Sequence, residues 1–258
     1  MTRMFLAAVL TLVAGVPALA DVTIKSTANS KGFGLSGATT SVTYIKGLKM
    51  RVEATIGSKN FTSIYDVDAQ KMYILDAKKK QVDAWDMGAF SQEISKSVSA
   101  EGMHANLKPN GQTKTVSGHN AEGYDIDIVV PAIVAGSPLT MAMTGTSWIA
   151  KGAPGSAEYS AFYKGAAEKG WIFTDPRTAK AQPGQAKAMA EMYTQFAQIG
   201  GIPMDSQMDI KAQGEGMVAA TMARMGSVST TTTIDSVETG PLADDLFAPP
   251  ADYALKQQ

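Results

Sequence analysis

The chain has no cysteine. That excludes disulfides and any lipid attached through an N-terminal thiol, so stability must come from the apolar core alone. It has only two histidines, His104 and His119, fifteen residues apart and in unlike surroundings. A serine triad or a histidine-rich zinc site would need one of them at its centre, and both read more simply as loop or surface residues. There is no excess of charge of either sign: the net charge is −1, which gives no concentrated basic footprint for nucleic acid. Beyond the first twenty residues no apolar run approaches the length of a membrane span.

The N-terminus is read as a signal peptide over 1–20. Arg3 is a short positive region, Met4 to Val16 an apolar stretch too short to cross a bilayer, and Ala18-Leu19-Ala20 a small-residue cleavage site. Cleavage after Ala20 leaves 238 residues starting at Asp21, expected to form one domain over 21–258 in a periplasmic or secreted protein with no membrane span.

What is present is a ladder of alternating residues. In Lys49 to Ile56 apolar and polar residues alternate with period two, and the pattern repeats in Phe61 to Val67, Lys71 to Asp76 and Gln81 to Asp86 between short polar turns. This predicts an antiparallel sheet with Met50, Val52 and Ala54 inward and Lys49, Arg51 and Glu53 in water. Strands are expected also at Val22 to Ala28 and Thr40 to Ile45. Phe90, Ile94 and Val98 mark a short amphipathic helix from Ala89 to Ser99. A polar loop from Ala100 to Gly111, with Pro109-Asn110-Gly111 as a turn, precedes a strand at Gln112 to Val116. Tyr124 to Val130 and Leu139 to Ala150 are strands whose apolar faces carry Tyr124, Ile126, Ile128 and Val130, then Leu139, Met141 and Met143. Asp125 and Asp127 form the wet face opposite and do not read as an acid-base pair.

From Pro154 the period becomes helical. Ser156 caps a helix over 157–169, and a second helix over 185–199 carries Met189, Met192, Tyr193, Phe196 and Ile199 before Gly200-Gly201 and Pro203 stop it. Strands are then expected at Ser206 to Ala212, Met217 to Met225 and Val228 to Val237. The expectation is about ten or eleven strands and three helices, a mainly β, α+β chain without a boundary or solenoid repeat.

Three motifs suggest chemistry. Gly32-Phe33-Gly34-Leu35-Ser36-Gly37 spells a dinucleotide fingerprint, but a strand follows it where that fingerprint needs a helix, so it reads as a loop; no serine context completes a nucleophile elbow. Lys78-Lys79-Lys80, the only basic run, falls in a hairpin turn. Thirteen methionines remain after Met1 and Met4. Met189 with Met192, Met204 with Met208, and Met222 with Met225 resemble thioether pairs for Cu(I), though the same positions suit core or cavity lining. Asn60-Phe61-Thr62 is a glycosylation sequon only in a eukaryotic secretory pathway.

The ladder motifs Gly47 to Glu53, Ile64 to Asp68 and Lys71 to Asp76, with Thr115 to Tyr124, Trp148-Ile149-Ala150 and Phe247 to Tyr253, resemble an uncharacterised exported bacterial family known as domain of unknown function 4412. Ala121 stands where that family often has cysteine, which weakens a redox role. The family in turn resembles the periplasmic lipoprotein-localisation and lipoprotein-carrier proteins. The resemblance implies a curved antiparallel half-barrel with helices over its concave face and an apolar cavity between them. It implies no enzyme, no cofactor and no metal, and an acyl chain or lipoprotein precursor as ligand. Facing apolar stripes would line the cavity: Met189, Met192, Tyr193 and Phe196 from the second helix, with Met50, Val52, Tyr124, Ile126, Ile128, Met141 and Met143 from the sheet. A structural module with a filled cavity and a methionine-based Cu(I) binder are the alternatives.

Overall fold

A computed structural model describes residues 20–32, 35–97, 102–134 and 136–258. Residues 1–19 of the expected signal peptide, the Phe33-Gly34 step of the glycine-rich segment and the end of the first helix at Val98 to Ser99 lie outside the described residues. Six strands come first: β1 (Val22–Gly32), β2 (Leu35–Lys46), β3 (Lys49–Ile56), β4 (Lys59–Asp66), β5 (Lys71–Asp76) and β6 (Gln81–Asp86). Helix α1 (Met87–Ser97) leads to β7 (His104–Val116), β8 (His119–Val134) and β9 (Ser137–Ala150). Helices α2 (Ser156–Glu168), α3 (Pro176–Ala179) and α4 (Pro183–Ile199) precede β10 (Ile202–Gln213), α5 (Gly216–Met225) and β11 (Val228–Thr239). A single 3-10 turn, Asp244–Phe247, and β12 (Ala254–Gln257) end the chain.

All twelve strands form one sheet in the order β12-β6-β5-β4-β3-β2-β1-β11-β10-β9-β8-β7. The first and last strands in that order do not pair, so the sheet is open. It consists of two meanders joined where β1 pairs with β11. Register sets one apolar row across the first meander: Val22 opposite Ile45, then Met50, Tyr65, Met72 and Trp85. A second row crosses the other meander through Ala105, Ile128, Met143 and Ile210. Following the pairings through β11 and β1 puts both rows on the same face, since side chains two residues apart point the same way. Helices α1, α2 and α4 pack on that face. At one corner the sheet coils strongly. Ser117, in the β7–β8 turn, donates to the Ile234 carbonyl on β11 at 3.3 Å, whereas three strand steps in a flat sheet would hold them about 14 Å apart.

Several expectations need correction. Met217 to Met225 is not a strand but α5, consistent with its alanines and the positive-φ glycines, Gly216 and Gly226, at its ends. The polar loop before Gln112 is largely strand. β7 already starts at His104, and Pro109 to Thr113 is a bulge that leaves extra residues on β7 against Gly123. Ser156 does not cap α2; Gly155 does, at φ 73°, and Ser156 is the first helical residue, donating to the Ala150 and Ala153 carbonyls. The glycine-rich motif opens no helix, because Leu35 begins β2. The sheet is not wholly antiparallel, since β12 runs parallel to β6.

Inward Met50 and outward Lys49 agree with the alternation, but Arg51 is not in open water. Its guanidinium donates to Glu53 and to the Leu246 carbonyl at 3.1 Å, with 16% of the side chain exposed. The C-terminal segment lies over that outer face. It buries Phe247, and Ile64, Val82 and Ala84 on the same side of β4 and β6 are also sealed from water.

Candidate functional site

Helix α4 starts with proline at its first turn and stops at Gly200, whose φ of 73° only glycine adopts freely; its amide still closes on the Phe196 carbonyl at 3.0 Å. Between these limits Ala188, Met189, Met192 and Phe196 recur at helical spacing and face β7 to β10. Beneath them lie Ala105, Ile126, Ile128, Val130 and Met143, all buried; Ile128 is fully covered and Met192 is 7% exposed. Around this sealed centre is a ring of half-buried apolar residues: Met103, Leu107, Met141, Met189, Phe196, Met208 and Ile210. The result is a packed apolar seam, called the slot below, sealed at its centre and half-buried at its edges. Six of its side chains are methionines, which rearrange at low cost because three unbranched torsions can each move.

One polar group crosses the slot. Gln195 on α4 accepts from the Leu107 amide at 2.6 Å and donates to the Ala105 carbonyl. β7 is an edge strand, so these backbone groups have no strand partner on that side, and a single amide satisfies both. Sequence reasoning missed this residue, because a glutamine between apolar helix positions looks like part of the wet face.

The structure brings together seven of the eleven sequence-derived lining residues here: Ile126, Ile128, Met141, Met143, Met189, Met192 and Phe196. The other four sit elsewhere. Met50 and Val52 belong to the larger core under α1 and α2. Tyr193 turns away from the slot into an aromatic group, stacked on Tyr163 at 5.5 Å and edge-on to Phe173 at 4.9 Å. Tyr163 in turn lies 4.6 Å from Tyr159 and donates to the Met50 sulfur at 4.0 Å. Burial first, and then the nearness of other phenols, pushes the hydroxyls of Tyr65, Tyr159 and Tyr163 above their ordinary range, and burial raises Tyr193. Tyr124 sits at the far end of β8, where its hydroxyl donates to Glu122 at 3.0 Å. The Lys151 ammonium meets the same carboxylate oxygen at 2.8 Å. These contacts, Lys151 before Tyr124, hold the Glu122 carboxyl below its usual range.

Two open clefts lie apart from the slot. One, about 380 Å³, is lined by His119, Asn120, Glu122, Ile149 and Lys151 beside the β7–β8 turn. The other, about 370 Å³, lies between α1 and the end of α2 and is lined by Gln70, Ser91, Gln92, Ser95, Lys96 and Lys169. His104 pairs with Asp127 at 3.3 Å, both exposed, and among the described residues no three histidine or carboxylate groups converge as a metal site. The methionine pairs separate: Met189 and Met192 share the slot, Met204 is in the main core while Met208 is in the slot, and Met222 and Met225 are on α5. Among the described residues no helix is long and apolar enough to cross a membrane, which does not bear on strands.

No family model and no curated protein matches the chain. Three solved structures are similar at low level. PNGF-II is 9% identical with a TM-score of 0.36; the match covers 93% of this chain, which spans 31% of that one. A domain from Vibrio parahaemolyticus, described as an outer membrane lipoprotein-sorting protein, is 10% identical with a TM-score of 0.31, covering 89% of this chain and 90% of that one. A DUF1329 family protein from Desulfovibrio piger is 9% identical with a TM-score of 0.29, covering 90% and 91%. The fold therefore rests on the pairing of the strands themselves.

Proposed function

We propose that this is a non-enzymatic, exported carrier that holds an apolar chain, an acyl chain or lipoprotein precursor, in the slot between α4 and β7 to β10. Cleavage after Ala20 would release it to the periplasm or the exterior as one half-barrel domain over 21–258, with the helices on the concave side. The observation that carries the reading is the ring of half-buried methionine, leucine, isoleucine and phenylalanine around a sealed apolar floor. What sets this edge apart from that of the main core is its methionine content, since a slender hydrocarbon can enter where methionines swing aside. In this account Met50, Val52, Tyr124 and Tyr193 are support for the slot and not part of its first contact with ligand.

Native mass spectrometry of the exported protein, purified without detergent, tests this. Bound lipid that disappears in Met192→Asp while the fold persists supports the carrier; ligand-free wild type favours a module whose interior is filled by its own side chains. The six clustered thioethers sustain a second reading, Cu(I) binding, and one copper per chain in the same spectra would select it.

A further inference from the structure

The hairpin ends β1–β2, β3–β4 and β5–β6, together with the β10–α5–β11 connection, all lie at one end of the sheet, because the antiparallel register sends each of these turns the same way. Large exposed apolar residues gather there: Met217 at 85% and Met225 at 50% on α5, Ile56 at 50% and Phe61 at 45% on the β3–β4 hairpin. Of α5 only Ala219 is buried, against Leu139 and Ala212, so most of an apolar helix faces water. The same end is cationic. Lys31, Lys59, Lys78, Lys211 and Arg224 are exposed, and none has a carboxylate within ion-pair reach among the described residues. Lys79 and Lys80 pair with Asp76 and Asp252, and Asp209 and Glu215 are the other acids nearby. The run Lys78-Lys79-Lys80 is a solvated turn, as its sequence suggests, and it gains a use from this setting.

We propose that this rim docks on an anionic lipid bilayer. The apolar side chains stand on two separate projections divided by the β1–β2 hairpin, not in a continuous groove. Such a pattern suits a flat, deformable partner into which each tip dips separately, while the lysines and arginine meet lipid phosphates. A folded protein partner would require a contiguous apolar patch. The proposal holds whether or not the slot takes an acyl chain.

The test is co-sedimentation of the full mature protein with vesicles of phosphatidylcholine alone and of phosphatidylcholine mixed with phosphatidylglycerol. Binding is expected only to the mixed vesicles and should fade as salt is raised. Met217→Asp with Met225→Asp, or Ile56→Asp with Phe61→Asp, should each lower partitioning more than about tenfold with a much smaller relative change in stability, since about half or more of each side chain is already in water. Lys78→Glu should weaken it, and Lys49→Glu, exposed at the β2–β3 turn on the opposite end of the sheet, should leave it unchanged. Failure of the wild type to bind mixed vesicles, equal binding to neutral vesicles, or wild-type partitioning of the two aspartate pairs would overturn the proposal. So would a dimer that the aspartate pairs dissociate in the absence of lipid, which would assign the rim to a second copy.

Discussion

Replacing Gln195 by alanine should release α4 from the sheet edge, and the size of the effect follows from its two contacts. The Leu107 amide would lose its acceptor at 2.6 Å, and the buried Ala105 residue would lose the donor to its carbonyl. Each bond contributes about 1 kcal/mol net, and each backbone group left without a partner adds about 1–3 kcal/mol if water cannot reach it. Because the slot edges are half-open, water reaches part of the gap, so Gln195→Ala should cost about 2–3 kcal/mol in all. Gln195→Glu keeps the acceptor for Leu107 but sets a carboxylate against the Ala105 carbonyl. It should be worse than alanine at neutral pH and recover as pH falls toward the ordinary glutamate value of about 4.3, beginning above it because the site disfavours the carboxylate and raises its folded pKa. Urea unfolding gives the stability, and hydrogen exchange of the Leu107 amide reads the contact itself. Unchanged exchange at Leu107, with a stability loss below about 0.5 kcal/mol, would refute the bridging role.

Ile128 is fully buried in the slot floor. Ile128→Ala should cost about 2–5 kcal/mol, toward the lower end if the surrounding methionines collapse into the space, as measured by urea unfolding. Phe247→Ala should detach the C-terminal segment from the outer face at about 3–5 kcal/mol, with earlier proteolytic cleavage after Gly240 than in wild type. The tyrosine group gives a pH prediction whose sign follows from the raised pKa values. Folded-state hydroxyls above the ordinary value of 10.0 contribute stability that is complete below pH 10 and is lost as pH rises toward the folded values. Alkaline unfolding and the rise of tyrosinate absorbance should therefore coincide; ordinary ionisation of all eight tyrosines in a still-folded chain would contradict it.

The ladder was the most legible part of the chain. β3, β5 and β6 begin and end at the residues where alternation starts and stops, since one face packs and the other is wet. Alternation tells which face of a strand is inward but not which strands stand beside it. Met50 and Met143 thus read as one lining although β1 and β11 set them in different meanders. Helix α5 was misread because Met217, Val218, Thr221 and Met225 look β-compatible when the alanines between them are given no weight. The β7 bulge was hidden by Pro109-Asn110-Gly111, residues as fit for a bulge as for a turn. The C-terminal cover on β3 to β6 has no periodicity, and its one buried side chain, Phe247, sits among prolines. Gln195 acts through the free edge of β7, which becomes visible only when the strand order is known.

Titration of the mature protein with a fluorescent long-chain fatty acid tests the carrier account most directly. The account predicts saturable binding at one site, abolished by Met192→Asp or Phe196→Asp because an unpaired carboxylate facing hydrocarbon costs more than the roughly 2–7 kcal/mol of an unpaired neutral polar group, and retained in Met50→Leu, which alters the other core. The absence of saturable binding by a folded wild-type protein would contradict it.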